Sequence, residues 1–251
     1  MSETVTMQST ITEAYTGIAP YYDYLLQHVD YQEWYDYLRT IMQSYVPDPK
    51  IIVELGCGTG RFGAKFSNDG FTIFGIDRSL EMLQVARTRC YFNFRAFCAD
   101  IRNFALARRA DFIFAVHDTL NYQITNADMR GVFRSVRRSL KPGGIFLFDV
   151  TTEYNIYENF DGKIKHFETR GASIEWSNLY DKKKKHISSL MTVKKGSRIS
   201  SEEHLQRIYS IEEIQRLLEI EGFHLDRMYG DYTFLPPKRD TIMINFIAKV
   251  K

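Results

Sequence analysis

The chain has 251 residues, with 33 Lys and Arg against 31 Asp and Glu, so its formal net charge at pH 7 is +2. Hydrophobic residues make up 44% and charged residues 25%, which excludes a disordered, collagenous or low-complexity chain. The nearly balanced charge also argues against a general nucleic-acid binder, which needs a concentrated basic surface.

The cysteines and the N-terminal residues indicate the cellular setting. Cys57, Cys90 and Cys98 are too few for a disulfide framework, and no CxxC pair predicts zinc, so we expect no metal. The first ten residues lack the basic-then-apolar order of a signal peptide, and no apolar run reaches the roughly 20 residues that span a membrane. We therefore expect a cytoplasmic monomer or homodimer without a membrane partner.

Residues 1–46 are predicted to form an N-terminal helical cap, because apolar residues recur at helical spacing between residues 22 and 45. Pro47 and Pro49 then break this pattern. From there strands alternate with glycine-rich turns or helices, which predicts a mostly parallel sheet with helices on both faces. The predicted strands cover residues 51–55, 71–76, 92–99, 111–116 and 144–150, and helices cover about 79–90 and 126–140.

The C-terminal half interrupts and then resumes this alternation. Residues 156–209 hold short strand-like segments, which predict an inserted antiparallel β subdomain. A helix follows from Ser210, with Glu213 at the capping-box position. Two last strands, at 223–230 and 241–250, must pair antiparallel because too few residues separate them for a parallel crossover. The expected fold class is α/β: a mostly parallel seven-stranded sheet with an antiparallel last strand, built from residues 47–155 and 210–251.

A glycine-rich stretch, ELGCGTG at residues 54–60, follows the first strand and opens a helix. Glycines at such a turn let the backbone approach a ligand closely. The alternatives are a plain strand-to-helix turn and a dinucleotide site. The dinucleotide fingerprint G-x-G-x-x-G has its third glycine where Arg61 stands here, so that match is imperfect.

Two acids follow the next two strands. Asp77 lies about 20 residues past the glycines, where a carboxylate accepts hydrogen bonds from both hydroxyls of a ribose, or else caps the following helix. Asp100 is placed to accept a hydrogen bond from an adenine amino group, with Ile101 packing on the ring. Taken alone, Asp100 is better explained as a turn or N-cap residue.

Together these stretches resemble the class I S-adenosylmethionine-dependent methyltransferases. ELGCGTG, GIDRS, CADI and LKPGGIFLFDV match the glycine motif, the second-strand acid, the third-strand acid and the fifth-strand motif of that family. The resemblance implies a Rossmann-like fold, the cofactor S-adenosyl-L-methionine and the product S-adenosyl-L-homocysteine. It also implies that the glycines hold the amino-acid part of the cofactor and that Glu54 acts on the loop through water or backbone. The full predicted cofactor set is Tyr15, Tyr22, Trp34, Glu54, Gly56, Cys57, Gly58, Gly60, Asp77, Arg78, Met82, Asp100, Ile101 and His117.

The flanking motifs resemble a small-molecule group within this family, which includes glycine and amino-sugar N-methyltransferases. YYDYL near residue 21, DY at residue 30 and Trp34 are similar to the N-terminal pattern of that group, and HDTLNY at 117–122 is similar to its D-S/T-x-N-Y motif. His117, Asp118 and Tyr122 are the predicted catalytic residues, because an amine acceptor must lose a proton before it attacks. The structural alternatives are a strand-end histidine bonded to backbone, a capping aspartate and a tyrosine of the pocket wall.

The sequence thus predicts methyl transfer to a small polar acceptor, on nitrogen or oxygen, by in-line displacement. Nucleic acid is disfavoured as acceptor, because HDTLNY holds no proline and no Pro-Cys nucleophile pair occurs. A tRNA or protein methyltransferase and a non-catalytic regulator that binds S-adenosylmethionine stay open as alternatives. A nicotinamide dehydrogenase is disfavoured by Arg61 and by the antiparallel last strand. The insertion is expected to roof the acceptor pocket, with a dimer interface as the competing account.

Overall fold

A computed structural model describes residues 8–89, 92–169 and 171–251 of the chain. The first seven residues of the predicted helical cap, Cys90 at the predicted end of a helix, and residue 170 lie outside these ranges. Elements are numbered in chain order. The strands are β1 (Gln8–Thr12), β2 (Ile52–Leu55), β3 (Ile73–Asp77), β4 (Phe94–Cys98), β5 (Ala110–Ala115), β6 (Leu140–Thr151), β7 (Ile164–Thr169), β8 (Ala172–Asp181), β9 (His186–Lys195), β10 (Arg198–Arg207), β11 (Phe223–Gly230) and β12 (Met243–Val250). The helices are α1 (Tyr22–Leu25), α2 (Tyr31–Tyr45), α3 (Arg61–Asn68), α4 (Leu80–Arg87), α5 (Asn126–Ser139), α6 (Glu153–Asn159) and α7 (Ile211–Ile220), with short 3-10 helices at Ala19–Tyr21 and Thr119–Tyr122.

The larger sheet carries the α/β core. Within the described residues its seven strands lie in the order β11-β12-β6-β5-β2-β3-β4, and β12 runs antiparallel to both of its neighbours. The connection between β11 and β12 contains no helix, so the chain returns beside the strand it has just left. The predicted Rossmann-like α/β sheet with a reversed last strand is confirmed.

Helices cover both faces of this sheet, which explains why its central strands are apolar throughout. Every residue of β5 is buried. Phe133 of α5 and Leu217 of α7 pack on one face, and Leu38 of α2 and Phe66 of α3 pack on the other. Strands covered on both faces have no solvent side, so they show continuous rather than alternating hydrophobicity.

A second sheet, which we call the accessory sheet, has the strand order β1-β10-β9-β8-β7. Strands β7 to β10 pair antiparallel, as predicted for the insertion, whereas β1 pairs parallel with β10 and sets Thr12 opposite Glu202. The helical prediction is wrong for residues 8–12. This strand is held by backbone bonds to a segment far away in the chain, and short-range periodicity carries no sign of such a partner.

The boundaries of the insertion also differ in detail from the prediction. Helix α6 spans Glu153–Asn159 and so crosses the predicted boundary at residue 156, and neither this helix nor β7 had a predicted counterpart. The predicted capping box is confirmed, since the Ser210 side chain accepts from Glu213 N and the Glu213 side chain accepts from Ser210 N. Among the described residues, no helix is long and apolar enough to cross a membrane.

Candidate active site

A cleft of about 1090 Å³ opens at the carboxyl ends of β2, β3, β4 and β5. Open α/β sheets bind ligands at this edge. Twelve of the fourteen residues predicted to bind the cofactor line the cleft; Trp34 and Gly60 are the two that do not. The lining members of the predicted set are Tyr15, Tyr22, Glu54, Gly56, Cys57, Gly58, Asp77, Arg78, Met82, Asp100, Ile101 and His117.

The glycine loop between β2 and α3 follows a path that side chains would obstruct. Gly56 has a φ of +69°, and a Cβ there would lie 2.6 Å from Thr119 Oγ1. Gly60 also has a positive φ, and it forms the N-cap of α3, where a Cβ would lie 2.7 Å from Phe94 Cε1. Gly56 thus keeps the floor of the cleft open, whereas Gly60 allows close packing of α3 against β4.

Asp77, at the end of β3, supports this loop directly. Its Oδ2 accepts the backbone N–H of Gly58 at 2.8 Å, and its Oδ1 accepts the N–H of Ser79 at 2.9 Å. Burial raises the pKa of Asp77, and these two N–H groups act in the opposite direction. The cap of α4 is the Ser79 side chain, which accepts from Met82 N at 3.1 Å. Asp77 therefore holds the glycine loop and presents its remaining lone pairs to the cleft.

Asp100, beyond β4, is oriented by an arginine that the sequence analysis missed. Arg102 Nη2 lies 2.6 Å from Asp100 Oδ2, and Arg102 N donates to Asp100 Oδ1 at 2.8 Å. The same guanidinium reaches Asp128 on α5 at 2.7 Å. Its hydrogen bonds to Asp100 lower the pKa of that carboxyl. The carboxylate is thus ionised and fixed at the rim of the cleft.

Glu54 is the feature that best tests the fit of a charged cofactor. It lines the cleft at the end of β2, is 3% exposed, and its Oε2 has no hydrogen-bond partner among the described residues. Burial raises its pKa well above the usual range. The backbone N–H of Gly63 donates to this carboxyl, but a buried oxygen without a partner is still costly, and a ligand cation that donates a hydrogen bond to Oε2 would remove that cost. The cleft therefore suits a cofactor that carries an ammonium group.

A second cavity, of about 1750 Å³, adjoins the cleft. We call the residues that line both cavities the shared wall. Tyr15, Tyr22, His117 and Tyr122 line both cavities. Trp34 lines this second cavity instead of the cleft. The accessory sheet forms its roof, with the side chains of Lys165, Phe167, Trp176, Ile187, Ser189, Met191, His204 and Gln206.

Trp34 owes its position to packing from α2. Its ring stacks on Tyr232 with 3.8 Å between centroids and meets His117 edge-on at 5.4 Å. Trp34 was predicted to bind the cofactor, and these contacts place it instead between the helical layer and the shared wall.

The backbone after β5 turns sharply at His117 and Asp118, which have φ values of +62° and +52°. Non-glycine residues in this region are strained unless the surroundings hold them there. Asp149, at the end of β6, accepts the N–H of His117 at 2.6 Å and that of Asp118 at 2.7 Å. The Tyr232 hydroxyl donates to the same carboxylate. The turn aims both side chains at the shared wall and the second cavity.

Burial shifts the protonation of this turn. It lowers the pKa of His117 to about 4, with a smaller contribution from His28, so the imidazole is neutral at pH 7. It raises the pKa of Asp118 to about 6, while a hydrogen bond donated by Gln206 acts in the opposite direction. Asp118 is therefore mostly ionised at neutral pH and titrates just below it.

Known proteins are similar to this chain over almost its whole length. A family model described as a methyltransferase domain matches residues 52–144. A protein named "Putative methyltransferase YqeM" in Bacillus subtilis is 30% identical over 242 residues, covering 94% of this chain and 96% of the relative. The chain belongs to the S-adenosylmethionine-dependent methyltransferases.

This methyltransferase is also similar to a solved structure and to a sugar-modifying relative. A solved S-adenosylmethionine-dependent methyltransferase from Clostridium acetobutylicum shares the fold with a TM-score of 0.81 at 24% identity, over 94% of this chain and 98% of that one. The dTDP-4-amino-2,3,4,6-tetradeoxy-D-glucose N,N-dimethyltransferase of Saccharopolyspora spinosa is 28% identical over 109 residues, 43% of each chain. The cofactor of the methyltransferase described here is S-adenosyl-L-methionine.

Several side chains of the methyltransferase site escaped the sequence analysis. Asp149 could have been predicted from the sequence, because it is an acid at the end of an apolar strand within the matched motif GIFLFDV. Arg102 had a weaker sequence signal, its position two residues after Asp100. His204 and Gln206 had no such signal, because they alternate along a strand-like segment, and only the folded sheet decides which side of that strand faces the cavity.

Proposed function

We propose that this methyltransferase N-methylates a small polar amine that binds in the second cavity. The observation that carries this proposal is the shared wall, because Tyr15, Tyr22, His117 and Tyr122 line both the cofactor cleft and the second cavity. An acceptor in the second cavity would meet the cofactor at that wall. Such a close, in-line approach supplies a large part of the catalysis of methyl transfer.

The charges around the second cavity favour an amine over an anion. Its described lining includes three carboxylates, on Asp30, Glu33 and Asp118, and one lysine, Lys165. Asp118 is the member nearest the chemistry, because it follows His117 in the strained turn. A partly buried carboxylate with a titration near pH 6 attracts an ammonium group and fixes its direction. An amino-sugar N,N-dimethyltransferase is among the relatives, in agreement with this preference.

On the cofactor side, the geometry of three acids in the cleft supports the proposal. Asp77 would accept the ribose hydroxyls with lone pairs that the glycine loop leaves free. Asp100 would accept from the adenine amino group while Arg102 holds it in place. Glu54 would receive the ammonium group of the methionyl end, which supplies the missing donor for Oε2.

When bound, the cofactor supplies an electrophilic methyl group on a positively charged sulfur. The residues of this chain orient the partners and exclude water. The neutral imidazole of His117 adds no positive charge beside that sulfur. The aromatic wall of Tyr15 and Tyr22 keeps solvent away, and phenol rings tolerate a nearby cation. Exclusion of water prevents hydration of the attacking nitrogen.

The proposal is tested with methyl-tritiated S-adenosylmethionine and a panel of primary amines: glucosamine, glycine and a nucleotide-linked amino sugar. Glucose, glycolate and bulk tRNA serve as matched hydroxyl and RNA acceptors. We expect label on nitrogen, identified by mass spectrometry, and none on the hydroxyl compounds. Label on oxygen or on tRNA alone would overturn the proposal.

Asp118 provides a second arm of this test. Because its carboxylate must be ionised to hold an ammonium group, the KM for the amine should rise as the pH falls through about 6. Asp118→Asn should raise the KM at pH 8 and abolish its dependence on pH near 6. Asp240→Asn, at an exposed acid, is the matched control and should change neither.

A further inference from the structure

Four polar side chains form a continuous chain of hydrogen bonds from the shared wall into the accessory sheet. The Tyr15 hydroxyl donates to the Tyr122 hydroxyl at 2.6 Å, and the Tyr122 hydroxyl lies 2.9 Å from His204 Nδ1. His204 Nε2 in turn lies 2.9 Å from Glu202 Oε1. We propose that Tyr122, His204 and Glu202 form a relay that takes the proton which the acceptor nitrogen loses. The relay rests on the proposed N-methylation.

The surroundings of Glu202 set the direction of this relay. The carboxylate is 1% exposed and accepts the backbone N–H groups of Tyr15 at 3.0 Å and of Gly17 at 2.7 Å. Both oxygens of Glu202 thus already serve as acceptors, Oε1 for Tyr15 and Oε2 for Gly17. Glu202 therefore acts as an acceptor, which leaves the hydrogen of the neutral imidazole on His204 Nε2. Nδ1 then carries the lone pair that accepts from Tyr122.

Tyr122 connects this histidine to the acceptor. Its hydroxyl accepts from Tyr15 and donates to His204, and a second lone pair is left for an N–H group in the second cavity. Burial raises the pKa of Tyr122 well above its usual range. A free phenolate is thus disfavoured, and Tyr122 works by passing one proton on as it receives another. His204 is the group that stores the proton.

The acceptor loses a proton to the relay before the methyl group is transferred. The acceptor R–NH₃⁺ gives one proton to the Tyr122 oxygen while the Tyr122 hydroxyl proton moves to His204 Nδ1, which forms an imidazolium beside Glu202. The lone pair of R–NH₂ then forms the carbon–nitrogen bond, and the electron pair of the carbon–sulfur bond stays on sulfur. The products are R–NH₂CH₃⁺, S-adenosyl-L-homocysteine and the proton on His204, which returns to water once the cavity opens.

The charges that face His204 suit this role. Glu202 lies on the same strand, and Asp118 interacts with His204 electrostatically from the turn after β5. The Tyr15 ring packs edge-on against the imidazole at 4.7 Å from the N-terminal segment, and Tyr122 approaches from the 3-10 helix. A positive charge that forms on His204 during the step would therefore face two carboxylates. Glu202 also accepts the backbone N–H of Tyr15. The N-terminal segment therefore helps to hold Glu202 in position beside His204.

The test compares His204→Gln, Glu202→Gln and Tyr122→Phe with three matched controls on exposed positions. The controls are His166→Gln, Glu203→Gln on the outer face of β10, and Tyr154→Phe on α6. kcat for the amine methylated in the panel above is measured from pH 6 to pH 10. We expect His204→Gln to lower kcat at pH 7 by about 10²- to 10⁴-fold, as for loss of a general base. The Kd of the His204→Gln variant for S-adenosylhomocysteine should not change, because His204 lines the second cavity and not the cleft.

The pH dependence separates a relay from a structural role. At high pH an amine arrives without its extra proton, so the deficit of each relay variant should shrink as the pH approaches the pKa of the amine, about 10 for an alkyl amine. A deficit that stays constant across this range, or no deficit, would overturn the relay. With ¹⁵N-labelled histidine, an NMR signal showing the hydrogen of His204 on Nδ1 would also overturn it. Wild-type enzyme that methylates no amine would instead overturn the proposed function, and the relay with it.

Discussion

The carboxylate of Asp149 accepts the backbone N–H of His117, with 2.6 Å between His117 N and Asp149 Oδ2. This bond joins the end of β6 to the turn after β5. It holds His117 in a left-handed conformation that would otherwise be strained. Asp149 lines neither cavity, yet it fixes the backbone from which the His117 side chain reaches the shared wall.

Asp149 should also give the stability of the enzyme a specific pH dependence. Burial raises its pKa to about 7, whereas in the unfolded chain it titrates near 4. Between these values the folded protein holds a proton that the unfolded chain has released, so this contribution to stability is present at low pH and is lost as the pH rises to 7. Asp149→Asn should therefore destabilise the fold more at pH 5 than at pH 8. Urea denaturation at both values measures the difference, and the opposite order would refute the assignment.

Gly56 should tolerate no side chain, although its backbone angle alone is not the reason. Gly56→Ala would bring Cβ within 2.6 Å of Thr119 Oγ1 at the floor of the cleft. Gly70 has a similar positive φ but open space around it, so Gly70→Ala should cost only the backbone strain of about 1–2 kcal/mol. We expect Gly56→Ala to lose binding of S-adenosylhomocysteine by calorimetry while Gly70→Ala retains it. Equal affinities in the two variants would show that the loop can shift.

Asp77 should matter for affinity more than for folding. Asp77→Ala leaves Gly58 N and, in the complex, the ribose hydroxyls without an acceptor, so S-adenosylmethionine should bind more weakly by about 1–3 kcal/mol. Asp240→Asn serves again as the exposed control. Unchanged affinity in a folded Asp77→Ala protein would remove Asp77 from the ribose site.

Trp176 should report on the acceptor and not on the cofactor. It lines the second cavity from the accessory sheet and does not line the cleft. Trp176→Ala should raise the KM for the amine by the equivalent of about 1.5–3 kcal/mol of lost apolar contact. Leu179→Ala, on the same strand with 71% exposure, is the control on the outer face. A change in elution from a sizing column without a change in KM would point to the dimer interface instead.

The local features of the fold and of the cofactor cleft were accessible from the sequence. Strand and helix periods predicted the α/β sheet, and the short link between the last two strands predicted the antiparallel β12. The glycine loop, Asp77 and Asp100 were found because each follows a strand directly, and parallel strands bring their carboxyl ends to one edge. Such signals extend over a few residues, so the chain itself displays them.

The sequence singled out HDTLNY and an inserted roof, but only the tertiary structure decided how the second cavity is assembled from them. Glu202 binds Gly17 across a sequence separation of 185, and Tyr122 reaches His204 across 82. Strand β1 is paired with the edge strand β10. Trp34 lies outside the cofactor cleft, where its ring stacks on that of Tyr232. Contacts between distant segments depend on which faces the fold brings together, and local periodicity holds no record of them. The sequence therefore determined the chemistry of the methyl donor, while the folded chain determined the wall, the roof and the hydrogen-bond chain that would receive the acceptor.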